Sequence, residues 1–487
     1  MLFNSVSFLF FFTLAIVFYF SIPYRFRWAW LLSASYYFYI SWKPGYVILI
    51  LLTTLITYYA GIQMGKRELK NGRKRILILA LAFNIGLLFF FKYFEFMNES
   101  LRGILGHFQL SSPIPVFHFI IPIGISFYIF KSLSYAIDVY RGDVKPERHL
   151  GFFALYVSFF PQLLAGPIER ATRFLPQLYQ KLNFDEERVT HGLRRMLWGF
   201  FQKMVIADNL AVLVDPVFNL PSEHSGLVLI MATLFYTFQI YCDFSGYSDI
   251  AIGAAQVMGF TTLENFNRPY FSQSIPEFWR RWHISLSSWF RDYCYIPIGG
   301  NRVSIPRWYF NLFVVLLICG LWHGANWTFV AWGAIHGFYL VLSAATQPIR
   351  KNICQTIGLD RCPRLHRCLK TGVTFLLVSF AWIFFRANSL SDALSILSRL
   401  SAGWGDLAHF SLSKSIPLWN PLRIELIVGV FSICLLIMVE SKQNRGGFTQ
   451  MFSKKPAWIR WPIYYFILLS ILLLGHFGTK QFIYFQF

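Results

Sequence analysis

The chain is short of charge. Only 14% of its 487 residues are Asp, Glu, Lys or Arg, against roughly a quarter in a soluble domain. The charge is also lopsided, with 44 Lys and Arg facing 23 Asp and Glu. Paired cysteines are missing. Cysteines stand at 242, 294, 319, 354, 362, 368 and 434, and none has C-x-x-C spacing, which excludes a thioredoxin-like motif or a zinc ribbon and leaves reduced cytosolic thiols. Cys354, Cys362, His366 and Cys368 share one basic loop, but their spacing fits no zinc pattern, so no metal is expected. Internal repeats and low-complexity linkers are absent too. That reads as a single membrane domain over 1–487, and it counts against a non-enzymatic transporter built from inverted repeats. Residues 1–22 carry no charge and lead into Pro23. Without a basic n-region or a small-residue cleavage site, they are not expected to be a cleaved signal peptide.

What the chain has is apolar length. Hydrophobic residues make up 56% and aromatics 20%, with a mean hydropathy of +0.48. Apolar runs fall near 2–22, 28–42, 46–64, 76–94, 116–137, 150–165, 193–214, 226–241, 305–322, 327–345, 371–385, 424–439 and 460–477. A helix needs about 20 residues to cross a bilayer, so some of these are re-entrant, and the pattern predicts about ten to twelve spans. The runs are continuous rather than alternating, which means helices and not a barrel. Net charge is +21. The basic residues gather in loops such as 66–75 and 350–370 without interleaved aromatics, so they mark cytoplasmic loops rather than a nucleic-acid site. Arg25 and Arg27 directly follow the uncharged 1–22, which predicts an N-terminus outside the cell membrane. Three zones are less apolar: 166–192, expected to hold an interfacial helix, 263–302, and 386–422, expected to be an external or interfacial loop.

Two histidines stand in apolar company. His323 lies in Gly320-Leu321-Trp322-His323-Gly324, and His283 in Trp279-Arg280-Arg281-Trp282-His283. An ionisable side chain at membrane depth marks a functional site by default. A buried neutral imidazole can act as general base toward a hydroxyl. Acyl transfer from a thioester needs such a base and a donor for the oxyanion, but no protein nucleophile. His323 as base and His283 as second polar group meet that minimum, with Trp322, Asn326 and Ser287 as candidate donors. His336, one span further on, is a third imidazole, and for each of the three the alternative reading is helix–helix glue. Asp243 and Asp249 are read as lining a cavity or contacting the histidines, or as a structural polar pairing. Glu169 and Arg170 are read as a solvated or locally paired couple. Residues 276–293 read as one amphipathic helix, with Phe278, Trp279, Trp282, Leu286, Trp289, Phe290 and Tyr293 on one face, Arg280, Ser287 and Arg291 on another, and His283 at the border. That basic face suits a phosphate-bearing acyl donor held by Arg280, Arg281 and Arg291, or lipid headgroups.

At these stretches the chain resembles the membrane-bound O-acyltransferase family. The likeness rests on 161–168 (Pro-Gln-Leu-Leu-Ala-Gly-Pro-Ile), 241–249, 265–270, 278–287, 320–324 and the terminal 482–487, and it is strongest to the branch of alginate O-acetyltransferases. The resemblance implies an all-α polytopic bundle around a central tunnel, a core at 116–345 and a C-terminal helical region at 346–487. It places the invariant histidine at His323 and the second catalytic position at His283. It further implies an acyl relay in the bacterial inner membrane, with no bound cofactor. The donor would be acetyl-CoA or an acylated phosphopantetheine carrier, the partner an extracytoplasmic acetyltransferase, and the final acceptor a polysaccharide. The neighbouring branch would instead transfer D-alanine to teichoic acid from a carrier protein.

Overall fold

The computed structural model describes residues 1–110, 114–115, 121–164, 166–401, 421–443, 451, 455–478 and 482–483. Among them all regular structure is helical. In chain order the helices are α1 (Val6–Ser21), α2 (Tyr24–Ile40), α3 (Val47–Lys66), α4 (Lys70–Leu88), α5 (Phe94–His107), α6 (Ile125–Arg141) and α7 (Leu150–Ser158). Next come α8 (Phe160–Leu163), α9 (Ala171–Leu178), α10 (Glu186–Phe200), α11 (Asp208–Asn219), α12 (Gly226–Val257), α13 (Ile275–Arg281) and α14 (Ile284–Phe290). The last are α15 (Ile305–His323), α16 (Trp327–Ala345), α17 (Gln347–Thr356), α18 (Pro363–Arg386), α19 (Leu390–Arg399), α20 (Pro421–Lys442) and α21 (Ala457–Leu474).

Eight continuous helices among the described residues are long and apolar enough to cross a bilayer: Pro44–Lys66, Lys70–His107, Glu186–Asn219, Gly226–Val257, Ile305–His323, Trp327–Ala345, Pro363–Arg386 and Ala457–Leu474. The protein is therefore an all-α, multi-pass membrane protein. The apolar run at 150–165 differs from a span. It breaks between α7 and α8 at Phe159, where Pro161 sits in the first turn of the second helix and suits a fresh start rather than a continuation. Most of the loop expected at 386–422, the start of the run at 116–137, Ala165 of the 161–168 stretch and all but two residues of the terminal 482–487 lie outside the described residues.

Contacts group the chain into two compact units, residues 1–196 with 250–263, and 197–249 with 264–487. In the first, α6 packs on α3 and α4, and α2 packs on α7. Gly61 lets α3 approach Tyr135, whose hydroxyl would stand 2.8 Å from an added Cβ. In the second, α15 and α16 form a tight hairpin and α18 packs on α16. Small residues allow this approach, as is common where helices meet in a membrane. A Cβ on Gly320 would collide with the Phe329 carbonyl and stand 2.9 Å from the Gly333 Cα.

Gly320→Ala is therefore expected to destabilise the protein by about 1–3 kcal/mol. Gly86→Ala, on an open helix surface with no atom within 4 Å of the new Cβ, is expected to be neutral or mildly stabilising. Melting curves of the two variants in detergent check this, and equal melting temperatures would contradict the hairpin's dependence on close approach.

Candidate active site

The site begins with a broken helix. Ser274 caps α13 by accepting the Glu277 N–H at 3.3 Å, and the Glu277 carboxylate returns to the Gln273 N–H at 2.8 Å, a reciprocal start signal. The helix ends at Arg281, and α14 starts only at Ile284. The predicted continuous helix over 276–293 is thus two short helices, because His283 adopts a left-handed conformation with φ of 42°. That geometry is strained for a residue with a Cβ and persists only where its surroundings over-determine it. The surroundings are the segment around Asn265. The Asn267 N–H donates to the Arg281 carbonyl and the Ile284 N–H to the Asn265 carbonyl, both at 2.9 Å. Most of the apolar face read from the sequence survives the break, with Phe278, Trp282, Leu286, Trp289 and Phe290 buried and Trp279 and Tyr293 half-buried.

Asn265 also sets the chemistry of His283. Its Oδ1 accepts the Ser285 hydroxyl at 2.7 Å and lies 3.2 Å from His283 Nδ1. Its Nδ2 donates to the Ser248 hydroxyl of α12 at 2.9 Å. An amide oxygen only accepts, so Nδ1 carries the proton and Nε2 presents its lone pair. The ring is 0% exposed, and burial pushes it down to about 3. It therefore stays neutral at physiological pH. An imidazole so depressed is a weak proton acceptor, better suited to orienting and polarising than to abstracting a proton.

His323 ends α15 and is 3% exposed. It sits in an aromatic cage, its ring centroid 5.0 Å from Trp322, 5.1 Å from Trp332 and 5.3 Å from Phe385. Trp322 also stands 6.2 Å from His283, so one indole lies against both imidazoles. Trp332 in turn lies 4.8 Å from His336. His336 is 0% exposed, and among the described residues neither of its ring nitrogens has a hydrogen-bond partner. The structure thus strings three imidazoles together through two indoles.

The other candidates divide. Trp322 is in the cage. Asn326 is taken up as the cap of α16, accepting the Thr328 N–H at 3.0 Å and donating to the Asn388 carbonyl at 3.3 Å. The Ser287 hydroxyl donates to the Trp282 carbonyl at 3.2 Å. Arg281 pairs with Glu277 at 2.6 Å and Arg291 with Asp292 at 2.8 Å, while Arg280 is exposed and pairs with no carboxylate among the described residues. Asp243 is engaged by a lysine and a backbone N–H. It pairs with Lys203 at 2.5 Å and accepts the Ile483 N–H at 2.7 Å, and Lys203 also holds Asp208 at 2.8 Å. Glu169 is buried rather than solvated, and it accepts the Leu263 N–H. Among the described residues no group of three His, Cys, Asp or Glu is placed to hold a metal.

Sequence reasoning missed Asn265 and Lys203. A lone lysine inside an apolar run was a usable signal. Asn265 stood in the 265–270 stretch that carries the family resemblance, but nothing there gave it a role of its own.

Comparison with known proteins bears on what this cluster serves. The profile of the MBOAT, membrane-bound O-acyltransferase, family matches residues 147–379. The probable alginate O-acetylase AlgI of Azotobacter vinelandii is 42% identical over 417 residues, covering 85% of this chain and 81% of that protein. The chain belongs to the membrane-bound O-acyltransferase family. The peptidoglycan O-acetyltransferase of Helicobacter pylori is 34% identical, covering 94% of this chain and 91% of that protein. The teichoic acid D-alanyltransferase of Streptococcus thermophilus is 30% identical, covering 54% of this chain and 68% of that protein. The protein is an acyltransferase, and the family match takes in Asn265, His283, His323 and His336.

Asn265→Ala is expected to slow acyl transfer by about tenfold or more, since a buried group losing its partner costs roughly 1–3 kcal/mol. Asn265→Asp keeps an acceptor but sets a negative charge beside Nδ1, which raises the proton affinity of His283. The acid limb of its pH–rate profile is expected to move to higher pH than in the wild type. Rates of both variants measured at equal membrane abundance check this; wild-type rates would remove the positioning role.

Proposed function

We propose that the protein is a membrane O-acetyltransferase for polysaccharide, with His323 as general base. The observation that carries the reading is the dry cage around His323, which shares Trp322 with the neutral, Asn265-oriented His283. His323 takes the proton of an acceptor hydroxyl as its oxygen attacks the thioester carbonyl carbon. The C–O bond forms, the C–S bond breaks, and the imidazolium returns its proton to the departing thiolate. His283 and Trp322 orient or polarise the reacting groups. Exclusion of water protects the thioester from hydrolysis.

The acyl group is assigned as acetyl because the relatives that align over most of the chain are named as O-acetylating proteins, while the D-alanyl relative aligns over about half. The donor is a cytoplasmic thioester, acetyl-CoA or an acylated phosphopantetheine carrier. Arg280 is the member of its basic trio left open to a phosphate group. The acetyl group passes outward across the bacterial inner membrane to an extracytoplasmic acetyltransferase, and the N-terminus lies on that outer side. No protein cofactor is required.

The test is the ester-linked acetyl content of cell-surface polysaccharide in cells with wild-type protein, His323→Ala or no protein. Loss of a general base is expected to cut transfer by about 10²- to 10⁴-fold, so the variant should match the null strain at equal membrane abundance. Unchanged acetyl in all three strains would overturn the acetyl assignment and direct the assay to D-alanyl esters.

A further inference from the structure

We propose that the turn joining α1 and α2 builds a binding pocket for a phosphate-bearing anion. A cavity of about 220 Å³ opens there in the first unit. It is smaller than a drug-sized ligand site and suits a single headgroup. Its wall includes Tyr24, Arg25, Arg27, Trp28, His149 and Gln180, and no carboxylate lines it. None of these residues belongs to the histidine cluster.

Leu31, Phe152, Leu178, Leu182 and Phe260 give the wall an apolar part, and the rest of it offers donors. Arg27 is fixed in place by three backbone carbonyls, those of Ile22 at 3.1 Å, Leu182 at 2.6 Å and Phe20 at 3.4 Å. Neutral carbonyls hold a guanidinium without cancelling its charge. Arg25 is exposed and lies 4.7 Å from the Phe26 ring centroid. Neither arginine pairs with a carboxylate among the described residues. His149 accepts the Phe152 N–H through Nδ1 at 3.1 Å. Its proton therefore sits on Nε2, which makes the free edge a donor. The ring is held edge-on to Trp28, centroids 4.7 Å apart. Gln180 adds an exposed amide.

Placement favours an anion at the membrane surface. α1 is an apolar helix that ends at Ser21, and α2 begins at Tyr24. The turn that follows the apolar helix carries Tyr24, Arg25, Arg27 and Trp28, the residue types that gather at headgroup level and attract anionic lipid. The phosphate can belong to a phospholipid or to a soluble phosphate compound, and the chemistry of recognition is shared.

The experiment uses the full chain purified in neutral detergent. Native mass spectrometry reads retention of phosphatidylglycerol against phosphatidylcholine of the same acyl chains. The melting shift produced by inorganic phosphate reads the soluble alternative. Arg25→Glu and Gln180→Glu place negative charge on exposed positions and leave Arg27 and its carbonyl ties intact. Preferential phosphatidylglycerol retention, weakened about fivefold or more in each variant, supports the pocket with lipid as its source. A phosphate-induced shift lost in both variants, without lipid preference, supports the pocket with a soluble source. The proposal is overturned if wild type shows neither effect, or if both folded variants bind as wild type does.

Discussion

The side chain of Asn265 is the contact on which the candidate site depends. Its oxygen receives the Ser285 hydroxyl and His283, its nitrogen reaches Ser248, and its backbone carbonyl receives the Ile284 N–H. One residue therefore joins α12, the loop after it and the start of α14. It also compensates the left-handed backbone at His283. Inside a low-dielectric interior such hydrogen bonds are strong when complete, and an incomplete set is costly. Position, tautomer and neutrality of His283 all follow from that arrangement together with burial.

The histidines are otherwise surrounded by rings. His323, Trp332 and Phe385 meet edge to face, and Trp332 stacks on Trp382 with centroids 5.5 Å apart. Aromatic packing of this kind gives a rigid, dry wall with few polar atoms. The glycine contact between α15 and α16 lets Trp332 and His323 share that wall. Buried charge is handled separately, since Lys203 is matched by Asp208 and Asp243, the condition under which ions persist at membrane depth.

Much of this was legible in the sequence, for identifiable reasons. Long apolar runs give the helices, because the bilayer sets their length. His283 and His323 stood out because a titratable group in apolar surroundings needs a reason. The break at His283 was hidden, since neither Gly nor Pro announces it and the apolar period of 276–293 continues across it. Asn326 and Ser287 looked like free donors, but short polar side chains bind nearby backbone first, as the α16 cap and the Trp282 carbonyl show. Arg281 and Arg291 read as an anion site in the sequence, but Glu277 and Asp292 neutralise them in the fold. Asn265 was missed because its partners lie 17 to 20 residues away and meet it only in the fold.

The measurement that tests the account most directly is a double-mutant cycle on acyl transfer. Membranes containing an acceptor polysaccharide are supplied with a labelled acetyl thioester. The rates of Asn265→Ala, His283→Ala and the double variant are compared at equal folded abundance. If Asn265 acts through His283, the double variant is no slower than His283→Ala, because contacting residues are non-additive. Losses that multiply would show that Asn265 and His283 act independently, and the central contact would then not be the one on which catalysis depends.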